Sequence, residues 1–314
     1  MQISAKTVSL GKNEIKFTTL EQISDVRQGL ATGDNKSYLY KNPSGTGSYR
    51  IIDKTKVLTE EEISEINNDE KLRIKIIESG IHKNMFKGKT IVPYDKGGSS
   101  DIVAGRLSNY YSDPEFFIDW SESNVQRIKT LTTFERDKQY NKKSKATNNK
   151  IASRFQNIEN YFKPNLTVSI RGIYAPTFRL GANTIFDVMG SCIFPKTFSN
   201  EYLLGMFCSK FIKYILKCFM NNSVAIEIEE LKKIQIPICE KSQKQEIEKL
   251  VKEIIKKQKK DPDYNYQDHE QKEIDNLVYE IFGLDKELID EVETWYARRY
   301  PKLVRDQDST LGAK

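Results

Sequence analysis

The chain has no apolar run approaching the about 18 residues that a membrane-crossing helix needs, which excludes a membrane-spanning protein. Its first twenty residues place Lys6, Lys12, Glu14 and Lys16 among short apolar stretches, so they form no secretory signal core and the expected location is cytoplasmic. Cysteine and histidine are scarce. The four cysteines (Cys192, Cys208, Cys218, Cys239) fall in no metal-ligand spacing, and His82 and His269 are the only histidines. A metal centre is therefore not expected, and the thiols read as small buried hydrophobes. Two histidines also leave little material for nucleophilic catalysis.

What is present is charge. Of 314 residues 30% are charged and 38% apolar, a balance that suits much solvated surface around a modest core. The net charge of +6 permits a nucleic-acid partner without requiring one.

Residues 1–130 read as short extended segments broken by Gly, Pro and Asn, such as Ile91-Val92-Pro93-Tyr94 and Phe116-Phe117-Ile118-Asp119-Trp120. A helical insert is expected over Leu58–Ser79, where Ile63, Ile66, Ile74 and Ile77 recur at helical spacing. Residues 135–150 are basic and lack strong apolar anchors, so they read as a loop able to touch a phosphate backbone, with Lys142 and Lys143 at its centre. Strand patterning resumes at Leu166, Val168 and Ile170, then at Ile185–Val188 and Cys192–Phe194.

After Pro195 the periodicity becomes helical. Ser199 or Asn200 caps one helix of about twenty residues through Phe219. A second helix is expected over Ser242–Lys259 and a third around Ile274–Phe282, ended by Gly283. A last helix is capped by Asp285 and stopped by Pro301. The expected fold class is thus α+β: an irregular β-rich domain over 1–195, a helical bundle or hairpin over 196–304, and a disordered tail over 305–314.

Several enzymatic readings fail on single residues. None of the nine prolines adjoins another, which removes the [Asp/Asn/Ser]-Pro-Pro-[Tyr/Phe] segment that holds an extruded base in an amino methyltransferase. Asp113-Pro114-Glu115-Phe116 imitates it without the second proline and reads as a turn before a strand. No strand leads through a glycine-rich turn into a helix suited to S-adenosylmethionine. Gly88-Lys89-Thr90 lacks the first glycine of a phosphate loop, since Lys83 stands there. Pro262-Asp263 with Glu270-Gln271-Lys272 suggests a nuclease metal site only faintly, because these residues lie between helices.

Seven segments in order nevertheless resemble one family. Asp25–Asn35 (DVRQGLATGDN) is similar to the Gly-Leu…Thr-Gly-x-Asn motif in the C-terminal specificity region of Type IIG and BREX-associated adenine-specific DNA methyltransferases. Pro93–Gly98 resembles its Pro-Tyr-x-Lys-Gly-Gly stretch, and Phe117–Trp120 with Ile128-Lys129 its aromatic-x-Trp stretch. Phe186–Phe194, Leu203–Lys210, Ile228–Pro237 and Ile274–Leu284 resemble four further segments. The Trp of the family's segment that corresponds to Leu166–Gly172, ahead of the stretch matched by Phe186–Phe194, is missing here, and Cys208 stands where an Asn is usual.

The resemblance implies a target-recognition module for double-stranded DNA, part of a restriction-modification or phage-defence system. Its catalytic domain or subunit, with its S-adenosylmethionine, would be a separate partner, and no catalytic residue or cofactor is expected in this chain. The DNA-contacting candidates are Arg27, Gly29, Thr32, Gly33, Asp34 and Asn35, then Lys96, Gly97 and Gly98, then Lys142 and Lys143, with Arg171 and Arg179 as possible guanine readers. The competing expectation is a protein-interaction adaptor of a defence complex, with the C-terminal helices as its working surface. Incubated with S-adenosylmethionine and duplex DNA, the isolated chain is expected to transfer no methyl group; radiolabel incorporation into the DNA is the check.

Overall fold

The computed structural model describes residues 6–10, 13–99, 101–103, 105–142 and 150–303. Among the described residues three larger sheets and one two-stranded hairpin, Ile102–Val103 with Arg106–Leu107, carry the β structure, and the class is α+β as expected. A five-stranded mixed sheet runs in the order Ile185–Phe186, Ile91–Asp95, Phe116–Asp119, Leu39–Lys41, Arg50–Ile51. Its inner pairs are antiparallel and its two outer pairs parallel. An antiparallel four-stranded sheet orders Thr177–Leu180, Leu166–Ser169, Ser191–Pro195 and Ser24–Arg27. The third sheet joins Lys6–Leu10 and Asn13–Thr19 to Gln235–Pro237.

That last pairing brings a segment from beyond residue 195 back onto the N-terminal strands. The main core follows the same route: Phe17, Val26, Val168 and Phe178 pack in one cluster with Phe207, Ile247, Val251 and Val278 from the C-terminal helices. A second core lies under the five-stranded sheet, where Ile66, Ile76, Val92, Ile118, Trp120 and Tyr161 meet. The buried indole N–H of Trp120 donates to the Ile76 carbonyl at 2.9 Å, so burial leaves its one polar atom satisfied.

Local chemistry changes several sequence expectations. The insert is two helices, Glu60–Asn68 and Glu70–Ser79, because the Asp69 carboxylate accepts from the Leu72 N–H and starts a new helix. The basic stretch from 135 is not a loop throughout. Thr132 and Glu135 form a capping box, and a helix runs over Thr133–Gln139. Residues 143–149, with Lys143, lie outside the described residues, as does the expected disordered tail over 305–314.

The long helix after Ser199 is likewise divided, into Asn200–Cys208, Lys210–Ile215 and a wider π turn over Leu216–Met220. At the break, Ser209 donates to the Met206 carbonyl and accepts from the Ile212 N–H, while the Lys210 N–H turns to the Asp275 carboxylate at 2.9 Å. Cys192 and Cys208 are buried as expected; Cys218 in the π turn is exposed and Cys239 half-buried, so those two are not core hydrophobes.

The remaining helices follow the reading closely: Lys241–Lys260, Glu270–Ile281 and Lys286–Arg299. Gly283 takes φ 61° after the second of these, and Asp285 caps the third by accepting from the Leu288 N–H. Gly205 lets the Asn200–Cys208 and Lys241–Lys260 helices approach, since a Cβ there would overlap Ile247. Among the described residues no helix is long and apolar enough to cross a membrane.

Lys213 and Asp275 contribute to the response of this helical core to pH, and Lys217, also buried, is lowered to about 8 like Lys213. Lys213 is fully buried with Nζ 2.8 Å from the Pro176 carbonyl, and burial lowers its ammonium from 10.5 to about 8. Burial also raises the Asp275 carboxyl from 3.8 to about 7, against the opposing charge of Lys210. Between pH 3.8 and about 7 the folded state keeps a proton on Asp275 that the unfolded chain has lost, so stability falls as pH rises. Between about 8 and 10.5 the unfolded chain keeps a proton that folded Lys213 has lost, so stability rises. Urea denaturation across this range is expected to show a minimum between about pH 7 and 8. Lys213→Met should reduce the alkaline rise, and Asp275→Asn the acid-side fall.

Candidate nucleic-acid interface

Three of the sequence motifs meet in space. Tyr94 Oη lies 2.8 Å from both the Leu30 carbonyl and Asp187 Oδ2, so its single hydrogen is shared between them. Backbone bonds complete the junction: Gly29 N–H donates to Asp187 O, Leu30 N–H to Phe186 O, and Asp187 N–H to Asp95 O. Asp187 Oδ1 accepts from the Met189 N–H at 2.7 Å, which closes the turn into the Ser191–Pro195 strand. Gly29 is required here because a Cβ would overlap the Phe186 carbonyl. Burial and the Asp187 charge push the Tyr94 phenol far above its ordinary value, so it stays a hydrogen-bond donor.

The Lys96-Gly97-Gly98 turn leaves this junction and is caught from the other side by Arg179. That guanidinium is 2% exposed and donates to the carbonyls of Gly97, Ser99 and Ser108 and to the hydroxyls of Ser169 and Thr177. Gly97 and Gly98 both take positive φ (85° and 63°), and a Cβ on Gly98 would strike the guanidinium. The expectation that Arg179 offers its donors to guanine is therefore corrected: its donors are used inside the protein, and it is a positioning residue for the turn. Lys96 stays half-buried, with Nζ 4.9 Å from the Phe116 ring centre and 5.3 Å from that of Tyr49.

The Thr32–Asn35 motif is also largely turned inward. Thr32 Oγ1 donates to Asn35 Oδ1 at 2.6 Å and accepts from the Asp34 N–H. Asp34 is buried and caps a four-residue helix, Asn35–Tyr38, by accepting from the Ser37 N–H. Gly33 takes φ 74° against the Ala152 backbone. Turn and cap formation thus employ Gly29, Thr32, Gly33, Asp34 and Asn35 together, and direct DNA contact by Thr32 and Asp34 is corrected on the same ground.

What the motif does is gather cations. Tyr140, at the end of the Thr133–Gln139 helix, donates to Asp34 Oδ1 at 2.7 Å. Its ring centre then lies 5.4 Å from Lys36 Nζ and 5.9 Å from Lys142 Nζ. Arg136 donates to the Gly33 carbonyl and pairs with Asp137 at 2.8 Å. Arg50 donates to the Ser37 carbonyl and lies 4.3 Å over the Tyr40 ring. Lys36, Arg50 and Lys142 are exposed, and Tyr49, next to Arg50, reaches Lys96. Three separate chain segments thereby form a basic face interleaved with Tyr40, Tyr49 and Tyr140.

Sequence reasoning passed over Lys36, Arg50 and these tyrosines. Tyr140 within its run of lysines was a usable signal; Arg50 had none. Arg27 stands on the edge strand of the four-stranded sheet, paired with Asp25 at 3.1 Å and 38% exposed at its side chain. Arg171 is exposed beside Ala225, to which its backbone bridges.

Two glycine-rich turns follow strands, but one leads into the four-residue Asn35–Tyr38 helix and the other into the Ile102–Val103/Arg106–Leu107 hairpin. Neither presents the long helix N-terminus that a dinucleotide-type fold aims at a phosphate. Glu270, in the faint nuclease-like segment, pairs with Lys257 at 2.6 Å. Among the described residues no group of three or more His, Cys, Asp or Glu is placed to hold a metal. No protein-family model matches the chain, and no curated protein matches it.

Arg179→Met would leave several buried carbonyls without donors. A stability loss of about 3 kcal/mol or more is expected, read as a lower urea midpoint with unchanged slope.

Proposed function

We propose that this chain is a recognition module for double-stranded DNA, non-catalytic by itself, that serves an adenine-specific methyltransferase of a restriction-modification or BREX-type system. The observation that carries this reading is the exposed cationic face of Lys36, Arg50 and Lys142, interleaved with tyrosines and held by the Asp34–Tyr140 hydrogen bond. Cations spaced along a surface neutralise phosphates and release counterions, while aromatic and amide neighbours limit how the duplex can lie. The sequence after Lys142 is also basic, with Lys143 and Lys145. Catalysis and S-adenosylmethionine belong, in this reading, to a partner domain or subunit.

A second reading, an adaptor without DNA specificity, is favoured by one feature. Ile173 and Val224 are 59% and 61% exposed on adjoining loops, where the Gly172 N–H donates to the Val224 carbonyl. Such a patch suits a protein partner.

Fluorescence anisotropy of short labelled duplexes at several salt concentrations separates the two. The DNA reading expects affinity to fall steeply with salt. Each of Lys36→Glu, Arg50→Glu and Lys142→Glu should weaken binding and lower the salt slope by about 1. Absence of salt-sensitive binding, both alone and with a partner methyltransferase, sinks it in favour of the adaptor.

A further inference from the structure

The Ser37 hydroxyl belongs to a chain of hydrogen bonds that starts at a buried carboxylate and ends on the basic face. The Asp34 carboxylate can only accept, so the Tyr140 hydroxyl gives its one hydrogen to Asp34 Oδ1, 2.7 Å away. Tyr140 Oη also lies 3.1 Å from Ser37 Oγ and, having no hydrogen left, accepts from it. Ser37 Oγ then has none left for Gln139, whose side-chain amide 3.1 Å away meets it with Nε2 as the donor. The count of hydrogens thereby fixes which way round this amide sits.

Gln139 is exposed at the last position of the Thr133–Gln139 helix. Its bond to Ser37 leaves the second N–H and Oε1 without a partner among the described residues. The cations of the face converge on the same point. Lys36 adjoins Ser37 in the chain, Arg50 donates to the Ser37 carbonyl, and Lys142 Nζ lies 5.9 Å from the Tyr140 ring centre. Phosphates held by these three cations would lay a groove of the duplex over an amide already set in one orientation.

A free donor beside a free acceptor on one planar group matches one base edge in the major groove. Adenine presents N7, an acceptor, next to the N6 amine, a donor. Guanine presents two acceptors in those places, thymine a carbonyl and a methyl group, and cytosine an amine alone. Each of the last three leaves half of the amide unsatisfied, and a polar group left unpaired on losing its water costs more than a typical bond gains.

We infer that Gln139 is a specificity-determining residue of this face and reads a paired adenine from the major groove, with Oε1 accepting from N6 and Nε2 donating to N7. Ser37, Tyr140 and Asp34 are its positioning residues. The inference rests on the DNA reading and deepens it: the cations supply affinity, and this amide reads one position of the sequence.

The test selects the full chain's preferred duplexes from a pool of random central sequence, then measures anisotropy of the enriched duplex with each base pair replaced in turn. The unmodified chain is expected to prefer adenine by about tenfold at one position or more. Gln139→Ala should erase that preference at a single position and leave the other positions and the salt slope as they were. Gln139→Glu, which can only accept, should turn the preference toward cytosine, whose N4 amine donates. Ser37→Ala, which frees the amide to turn, should weaken the adenine preference without moving it to another base. Unchanged selection by Gln139→Ala, or an equal loss at every position, overturns the inference and leaves the DNA reading standing. Salt-sensitive binding by the unmodified chain with no base preference at any position does the same. Absence of all duplex binding overturns the reading and the inference together.

Discussion

The hydrogen bond between the Tyr94 hydroxyl and the Asp187 carboxylate joins parts of the chain that are 93 residues apart, and the Leu30 carbonyl completes the node. From it the Pro93–Ser99 segment leaves in one direction, the Asp25–Asn35 segment in another, and the turn into the Ser191–Pro195 strand in a third. Each group at the node is buried, so each must find its partner inside the protein or incur the cost of desolvation. That requirement sets the relative positions of the two larger sheets, since Tyr94 belongs to one and the Ser191–Pro195 strand to the other. Arg179 then fixes the far end of the same segment through backbone carbonyls.

The consequence for the surface is indirect but specific. With Leu30 held, the chain through Gly33 and Asp34 has one course, and the buried Asp34 carboxylate can both start a short helix and accept from Tyr140. That bond places the tyrosine ring within reach of both Lys36 and Lys142. Polar residues that look like ligand contacts therefore act one layer beneath the cations, as supports. The exposed charges owe their spacing to buried neutral and anionic groups.

The helical half contributes a wall to the main core. Its internal breaks are informative about the forces involved. An uninterrupted apolar stripe from Leu203 to Phe219 favours one helix, yet the chain divides at Ser209, where its hydroxyl and the Asp275 carboxylate supply alternative partners for the backbone. The division carries Lys213 into the interior and leaves Cys218 and Phe219 in solvent. The buried charges that result make this region more responsive to pH than apolar packing would be.

Periodicity and capping chemistry, both local, determined a good deal by themselves. The α+β class, the Lys241–Lys260 and Lys286–Arg299 helices, the left-handed Gly283 and the Asp285 cap were all legible, because each depends on residues within one or two turns of chain. The capping box of Thr132 and Glu135 was equally local and was obscured only by the lysines that follow it. Tertiary structure decided the rest. Whether Arg179 faces solvent or the carbonyls of a turn 80 residues away is set by sheet packing, and no local pattern records it. The same holds for Arg50 over Tyr40 and for Lys142 beside Tyr140. Charge is a property of the residue, while its availability to a partner depends on what the rest of the chain has already placed within hydrogen-bonding reach.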